Sequence, residues 1–215
     1  MALLSPEIAE GVKKELAAVT DAVELVMFTQ EFECQYCRET RQLVEEVAAL
    51  SDQVSAKIYD FVANKDQAAR FGIDKIPAIA VVGAEDYGVR FYGIPSGYEF
   101  ASLLHAIKVV AAADPTLDED TKAFLGGLAT PVHIQVFVTP TCPYCQNSVI
   151  LGHQMAVASP FVRADMVEAT EFPHLAAKYQ VMGVPRTVIN EVVHIEGAVP
   201  EQVVVSKLQD AVSGS

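Results

Sequence analysis

Cys34-Gln35-Tyr36-Cys37, followed by Ile76-Pro77, recurs 108 residues downstream as Cys142-Pro143-Tyr144-Cys145, followed by Val184-Pro185. Forty residues separate Cys37 from Pro77, and forty separate Cys145 from Pro185. Two anchors repeated at one spacing point to an internal duplication, so the chain is read as two units of similar build. Their expected extents are residues 1–113 and 114–215, divided near the acidic, Pro115-containing stretch Asp114 to Asp120.

The elements around the anchors repeat in order as well. In the first unit Ser5 and Pro6 are placed as N-cap and first residue of a helix that carries apolar residues at Ile8, Val12 and Leu16. Val23 to Phe28 reads as a buried strand leading to the first cysteine pair, Arg38 to Leu50 as a helix and Ala56 to Tyr59 as a second strand. A short helix over Asn64 to Phe71 precedes strands Ala78 to Val82 and Val89 to Tyr92, and an apolar helix runs from about Tyr98 to Ala112. The second unit has a short helix at Glu119 to Leu125 and a strand at His133 to Val138, then a helix at Gln146 to Ala158 and a strand at Val162 to Ala164. Phe172 to Tyr179 is helical, Thr187 to Ile189 and Val192 to Ile195 form a hairpin, and Glu201 to Val212 is the last helix. Each unit is therefore βαβ followed by ββα, an α/β fold with a mixed sheet and helices on both faces.

This register puts each CxxC pair where a strand ends and a helix begins. Cysteines three residues apart in a first helical turn are close enough for their sulfurs to bond. Unpaired N–H groups and the positive end of the helix dipole there favour thiolate at the first position. Cys34 and Cys142 are accordingly the expected nucleophiles, and Cys37 and Cys145 the expected resolving thiols. Glu31 and Glu33 precede Cys34 with opposing charge, whereas Pro140 and Thr141 precede Cys142 and Pro143 stiffens the second loop. The second thiolate is thus expected to be the more reactive. Four cysteines in two CxxC pairs also suit a zinc site, and buried structural cysteines are the plainest alternative. The repeat favours redox chemistry over both.

Ile76-Pro77 and Val184-Pro185 fit either trans prolines at strand starts or cis bonds beside the sulfurs; their recurrence favours cis. Tyr36 and Tyr144 either shape the surface around the sulfurs or pack against the core. The five histidines are scattered, and no metal or phosphate-binding pattern accompanies them.

With 15 Lys plus Arg against 28 Asp plus Glu, the net charge is −13, which argues against a broad grip on nucleic acid or anionic lipid. Half the residues are hydrophobic (51%), yet no run approaches the roughly 20 apolar residues needed to span a bilayer. Met1 to Thr20 lacks the pattern of a signal peptide, and the expected location is cytoplasmic.

The two motifs, the two proline segments and the stretch Gly93-Ile94-Pro95-Ser96-Gly97-Tyr98-Glu99-Phe100 together resemble the glutaredoxin-like protein disulfide oxidoreductases of thermophiles, a tandem thioredoxin-fold family. The resemblance covers nearly the whole chain. It implies two tandem thioredoxin-like folds whose sheets join, and thiol-disulfide exchange on protein substrates with oxidase, reductase and isomerase capacity. Catalysis would rest on Cys34, Cys37, Cys142 and Cys145, and substrate binding on Ile76, Pro77, Val184, Pro185, Tyr36 and Tyr144. No bound cofactor or metal is implied; reducing equivalents would come from NADPH through a flavin-dependent thioredoxin reductase-like partner. A reductase dedicated to a peroxidase or other single client, and a non-catalytic zinc-binding or protein-interaction module, are the competing readings. Thioredoxins carry a buried Asp six residues before the first cysteine, whereas Phe28 and Val136 stand there in this chain. Proton acceptance then falls to water or another carboxylate, with Glu24 as a candidate. The Gly-Gly and acidic cluster that glutaredoxins use for glutathione is absent after Val188, so glutathione is not an expected partner.

Overall fold

A computed structural model describes residues 2–213. Its first half comprises α1 (Pro6–Leu16), β1 (Val23–Thr29), α2 (Cys37–Ala48), β2 (Val54–Asp60), α3 (Lys65–Arg70), β3 (Ala78–Val82), β4 (Val89–Tyr92) and α4 (Glu99–Ala112). The second comprises α5 (Glu119–Gly126), β5 (Val132–Val138), α6 (Cys145–Ala158), β6 (Val162–Glu168), α7 (Pro173–Lys178), β7 (Arg186–Ile189), β8 (Val193–Glu196) and α8 (Glu201–Ser213). Ser5 caps α1 by accepting the Ile8 N–H, with Pro6 at the first turn, where its missing N–H costs nothing.

All eight strands lie in one sheet, in the order β2-β1-β3-β4-β6-β5-β7-β8. Within each half the central strand pairs parallel with the strand after its CxxC helix, and antiparallel with the strand after its proline. The halves join where β4 runs parallel to β6, Val89 opposite Ala164 and Tyr92 opposite Val167. That junction makes the two mixed sheets continuous.

β6 is the element most different from its sequence reading, extending four residues beyond Ala164 to Glu168. Asp165 and Glu168 break the apolar pattern, yet both are buried, each held by polar partners. One face of the sheet is covered by α1, α2, α4, α5, α6 and α8, through residues such as Leu43, Leu103, Met155 and Leu208. The other is covered by the segments around α3 and α7, with Phe71, Phe172 and Tyr179 against Phe28 and Phe137. Among the described residues, no helix is long and apolar enough to cross a membrane.

Candidate active centres

β1, β4, β5 and β6 all run in one direction, so the loops leaving β1 and β5 emerge at the same end of the sheet. Each loop delivers a cysteine pair to the start of a helix on the same face: Cys37 opens α2 and Cys145 opens α6. The cysteines form disulfides Cys34–Cys37 and Cys142–Cys145, each with Cα atoms 5.5 Å apart. Neither helix has a side-chain cap at Tyr36 or Tyr144, which leaves its first N–H groups facing the sulfur-bearing turn. β1 and β5 stand four strand spacings apart, ~19 Å. The four sulfurs therefore do not meet in one tetrahedral shell, and among the described residues no group of three or more His, Cys, Asp or Glu side chains is arranged to hold a metal.

Cys37 and Cys145 are buried, as is Cys142 at 8% exposure, whereas Cys34 is half-buried. Accessibility thus favours Cys34, in the opposite sense to the charge argument that favours Cys142. A groove of about 470 Å³ borders Cys34, lined by Glu31, Arg38, Arg41 and Asp60 among others. Glu31, Glu33 and Arg38 are exposed, so their effect on a thiolate is screened by solvent.

The peptide bonds Ile76–Pro77 and Val184–Pro185 are cis. In the second half the Val184 carbonyl oxygen lies 3.8 Å from Cys142 Sγ. In the first, Ala78 pairs with Phe28, which sets Pro77 beside the start of the loop to Cys34. Ile76 and Val184 are half-buried against the core and both prolines are buried. Tyr144 stands out at 68% exposure, while Tyr36 is half-buried.

Phe28 and Val136 are buried apolar residues, as their strands require. Glu24 pairs with Ser55 and Val82 near the start of β1, about 16 Å along the strand from Thr29, so it does not reach either centre. The acid that sequence reading missed is Glu99. It opens α4 directly after Tyr98, whose N–H donates to the Pro140 carbonyl (3.0 Å), two residues before Cys142. Only 1% exposed, Glu99 receives the Ser102 hydroxyl at 2.7 Å on one oxygen and has no partner on the other. Burial pushes its carboxyl up to about 7. No sequence signal marks it among 28 acidic residues, because its burial depends on α4 of one half packing against α6 of the other.

A larger cleft, about 710 Å³, lies at the opposite end of the sheet, bordered by Asp86, His133 and Arg163. It is remote from both cysteine pairs.

Residues 132–209 match the thioredoxin domain family. Over 98% of this chain and 94% of the other, the fold is similar to that of a protein disulfide oxidoreductase from Aeropyrum pernix K1, with a TM-score of 0.91 and 28% identity. It is also similar to the NTD_N/C domain of alkylhydroperoxide reductase AhpF from Enterococcus faecalis, with a TM-score of 0.88, 25% identity, and 95% and 99% of the two chains covered. The corresponding alkyl hydroperoxide reductase component of Pseudomonas aeruginosa is 25% identical over 96% of this chain, and an NADH dehydrogenase of Bacillus subtilis 26% over 69%. The matched regions make up only 37% and 27% of those curated relatives. Residues 132–209 thus match the thioredoxin domain family, and over nearly its whole length the chain has a fold similar to that of a protein disulfide oxidoreductase.

Proposed function

We propose that the protein is a disulfide oxidoreductase that exchanges dithiols and disulfides with protein substrates through two centres, one in residues 1–113 and one in 114–215. The observation that carries this reading is the placement of two bonded cysteine pairs at uncapped helix starts at the same end of one sheet. In the reductive direction, the Cys34 or Cys142 thiolate attacks a substrate sulfur; the enzyme–substrate bond forms as the substrate S–S bond breaks, and the electron pair leaves on the substrate's other sulfur. Cys37 or Cys145 then attacks its neighbour's sulfur, closing the enzyme disulfide and releasing the second substrate thiolate. The oxidative direction reverses these steps.

Ile76, Pro77, Val184 and Pro185 present backbone beside the sulfurs for an extended substrate, and Tyr36 and Tyr144 border that surface. Glu99, which the Tyr98 N–H bond to the Pro140 carbonyl holds beside the second cysteine loop and burial raises to about 7, is the carboxylate we assign to take the proton of Cys145. The chain needs no cofactor of its own; NADPH would supply electrons through a flavin-dependent thioredoxin reductase-like partner in the cytoplasm. A coupled assay tests this: NADPH oxidation by such a flavoprotein should require the protein and accelerate when a disulfide-bonded substrate is added. No coupling with any such reductase would remove that partner from the scheme.

The likeness to the alkyl hydroperoxide reductase AhpF favours a second reading, a reductase serving a peroxidase alone. Traps C37S and C145S decide between them. Capture of many proteins as mixed disulfides supports the broad activity, and capture of one peroxidase supports the narrow one.

A further inference from the structure

Immediately beyond Pro185 the second centre has a feature that the first lacks. Arg186 opens β7 where the first half places the buried Ala78. Its side chain is only 13% exposed, and its Nε is buried without a hydrogen-bond partner. The guanidinium forms an ion pair with Glu196, the residue directly opposite on the outermost strand β8, and Nη2 lies 3.0 Å from His194 Nδ1. The Glu196 side chain is 83% exposed, so a fixed and largely desolvated cation is balanced by a carboxylate standing in water. An exposed partner of this kind contributes little to holding the pair together.

The pair borders a groove of about 310 Å³ that continues along Met182, Gly183, Val184 and Pro185. Gly197 N–H closes one end by donating to the Pro185 carbonyl at 2.8 Å. The groove runs along the same segment whose Val184 carbonyl lies beside Cys142 Sγ, and Met182, 95% exposed, forms its apolar lip. A chain laid along this segment to bring its disulfide to Cys142 passes the guanidinium within a few residues.

We propose that this groove is a specificity site for an acidic side chain of the client, whose carboxylate displaces Glu196 from Arg186 while the neighbouring disulfide is presented to Cys142. The inference rests on the exchange chemistry proposed above and deepens it for the second centre alone. Arg186 is a specificity residue: it holds the client and takes no part in the transfer of electrons from the Cys142–Cys145 dithiol to the client disulfide. A carboxylate delivered by a bound chain gains a charge-assisted hydrogen bond in a partly dry site, and the Glu196 it releases is already solvated.

The test uses the full-length C34S/C37S protein, so that only the second centre reacts, with a fixed concentration of a dithiol reductant regenerating the Cys142–Cys145 dithiol and the rate without protein subtracted. Its substrates are disulfide-bonded peptides carrying Glu, Gln or Lys at each position within three residues of the reacting cysteine. For at least one position the Glu peptide should show a KM about five- to tenfold below that of the Gln peptide, with an unchanged maximal rate, and the advantage should shrink with added salt. R186Q should abolish the difference, R186K should retain most of it, and E196Q should widen it by removing the competitor. A circular dichroism spectrum and an unfolding transition of R186Q that match those of the parent show that the variant is folded. Equal KM values for Glu and Gln peptides at every position, or a preference that survives R186Q, would overturn the proposal while leaving the exchange activity standing. Failure to reduce any peptide would instead overturn the exchange reading and this site with it.

Discussion

Four cysteines with different surroundings do the chemistry proposed above. Cys34 and Cys142 precede the first helical turn, whereas Cys37 and Cys145 lie within it and are almost completely buried. Brief iodoacetamide treatment of the reduced protein should therefore label Cys34 and Cys142 first by mass spectrometry, and prior labelling of Cys37 or Cys145 would reverse their roles. At Glu99 the raised carboxyl sets the sign of two pH effects. As a base it works only when ionised, so release at the second centre should quicken as pH rises through about 7, and E99Q should slow it at least tenfold and remove that inflection. For stability the sign is opposite: the folded state holds this proton more tightly than the unfolded chain, so the associated stability is intact below the ordinary carboxylate range and is lost as pH rises through 7. Chemical unfolding of E99Q should accordingly show a gain of about 1–3 kcal/mol at pH 8 relative to its effect at pH 5. The cysteines and prolines were legible in the sequence because their spacing repeats. Glu99 and Arg186 were not: Glu99 acquires its character from an α4–α6 contact distant in sequence, and Arg186 from the register of the β7–β8 hairpin, which sets Glu196 opposite it.

Elements were legible where pattern and packing agree. The strands Ala78 to Val82 and Val89 to Tyr92 stand where their apolar runs place them, because both faces of the central sheet are buried. β6 was read short because Asp165 and Glu168 look like surface residues until their partners are known. The start of α4 shows a different constraint. Gly97 has φ +60°, and a Cβ there would collide with the Pro140 carbonyl oxygen, a backbone atom with little freedom to retreat. G97A should therefore lift α4 away from the second cysteine loop, lowering stability by about 2–4 kcal/mol and altering alkylation of Cys142 more than that of Cys34. Equal changes at the two sulfurs would show that this contact does not act specifically on the second loop.

Across the joined halves, the β4–β6 junction is fastened by a polar network that sequence reading did not reveal. Arg163 donates to Asp165 (2.9 Å), to the Gly72 carbonyl (2.8 Å) and to the Tyr92 hydroxyl (2.6 Å), while His133 Nε2 lies 2.7 Å from Asp165. Asp165 is fully buried; His133 and Arg163 overcome its desolvation and hold its carboxyl well below the usual range. It thus contributes stability above the ordinary carboxylate pKa that is lost as pH falls towards its folded value. R163A leaves that carboxylate short of a cation and should cost about 3 kcal/mol, with acid unfolding moved to higher pH. An unchanged acid transition would mean that Arg163 does not hold the junction.

That both cysteine pairs exchange disulfides with proteins, and that the second does more of the simple reduction, is tested most directly by insulin reduction with a common dithiol reductant. The comparison sets the unmodified protein beside C34S/C37S, C142S/C145S and the variant lacking all four cysteines, each shown to be folded. Substantial activity is expected in C34S/C37S, loss of most activity in C142S/C145S and none above the reductant alone in the cysteine-free protein. Equal losses in the two pair variants would show that the centres are coupled, and a larger loss in C34S/C37S would show that the accessibility of Cys34 outweighs the opposing charge of Glu31 and Glu33 before it. Activity in the cysteine-free variant, or none in the unmodified protein, would contradict disulfide exchange at these cysteines altogether.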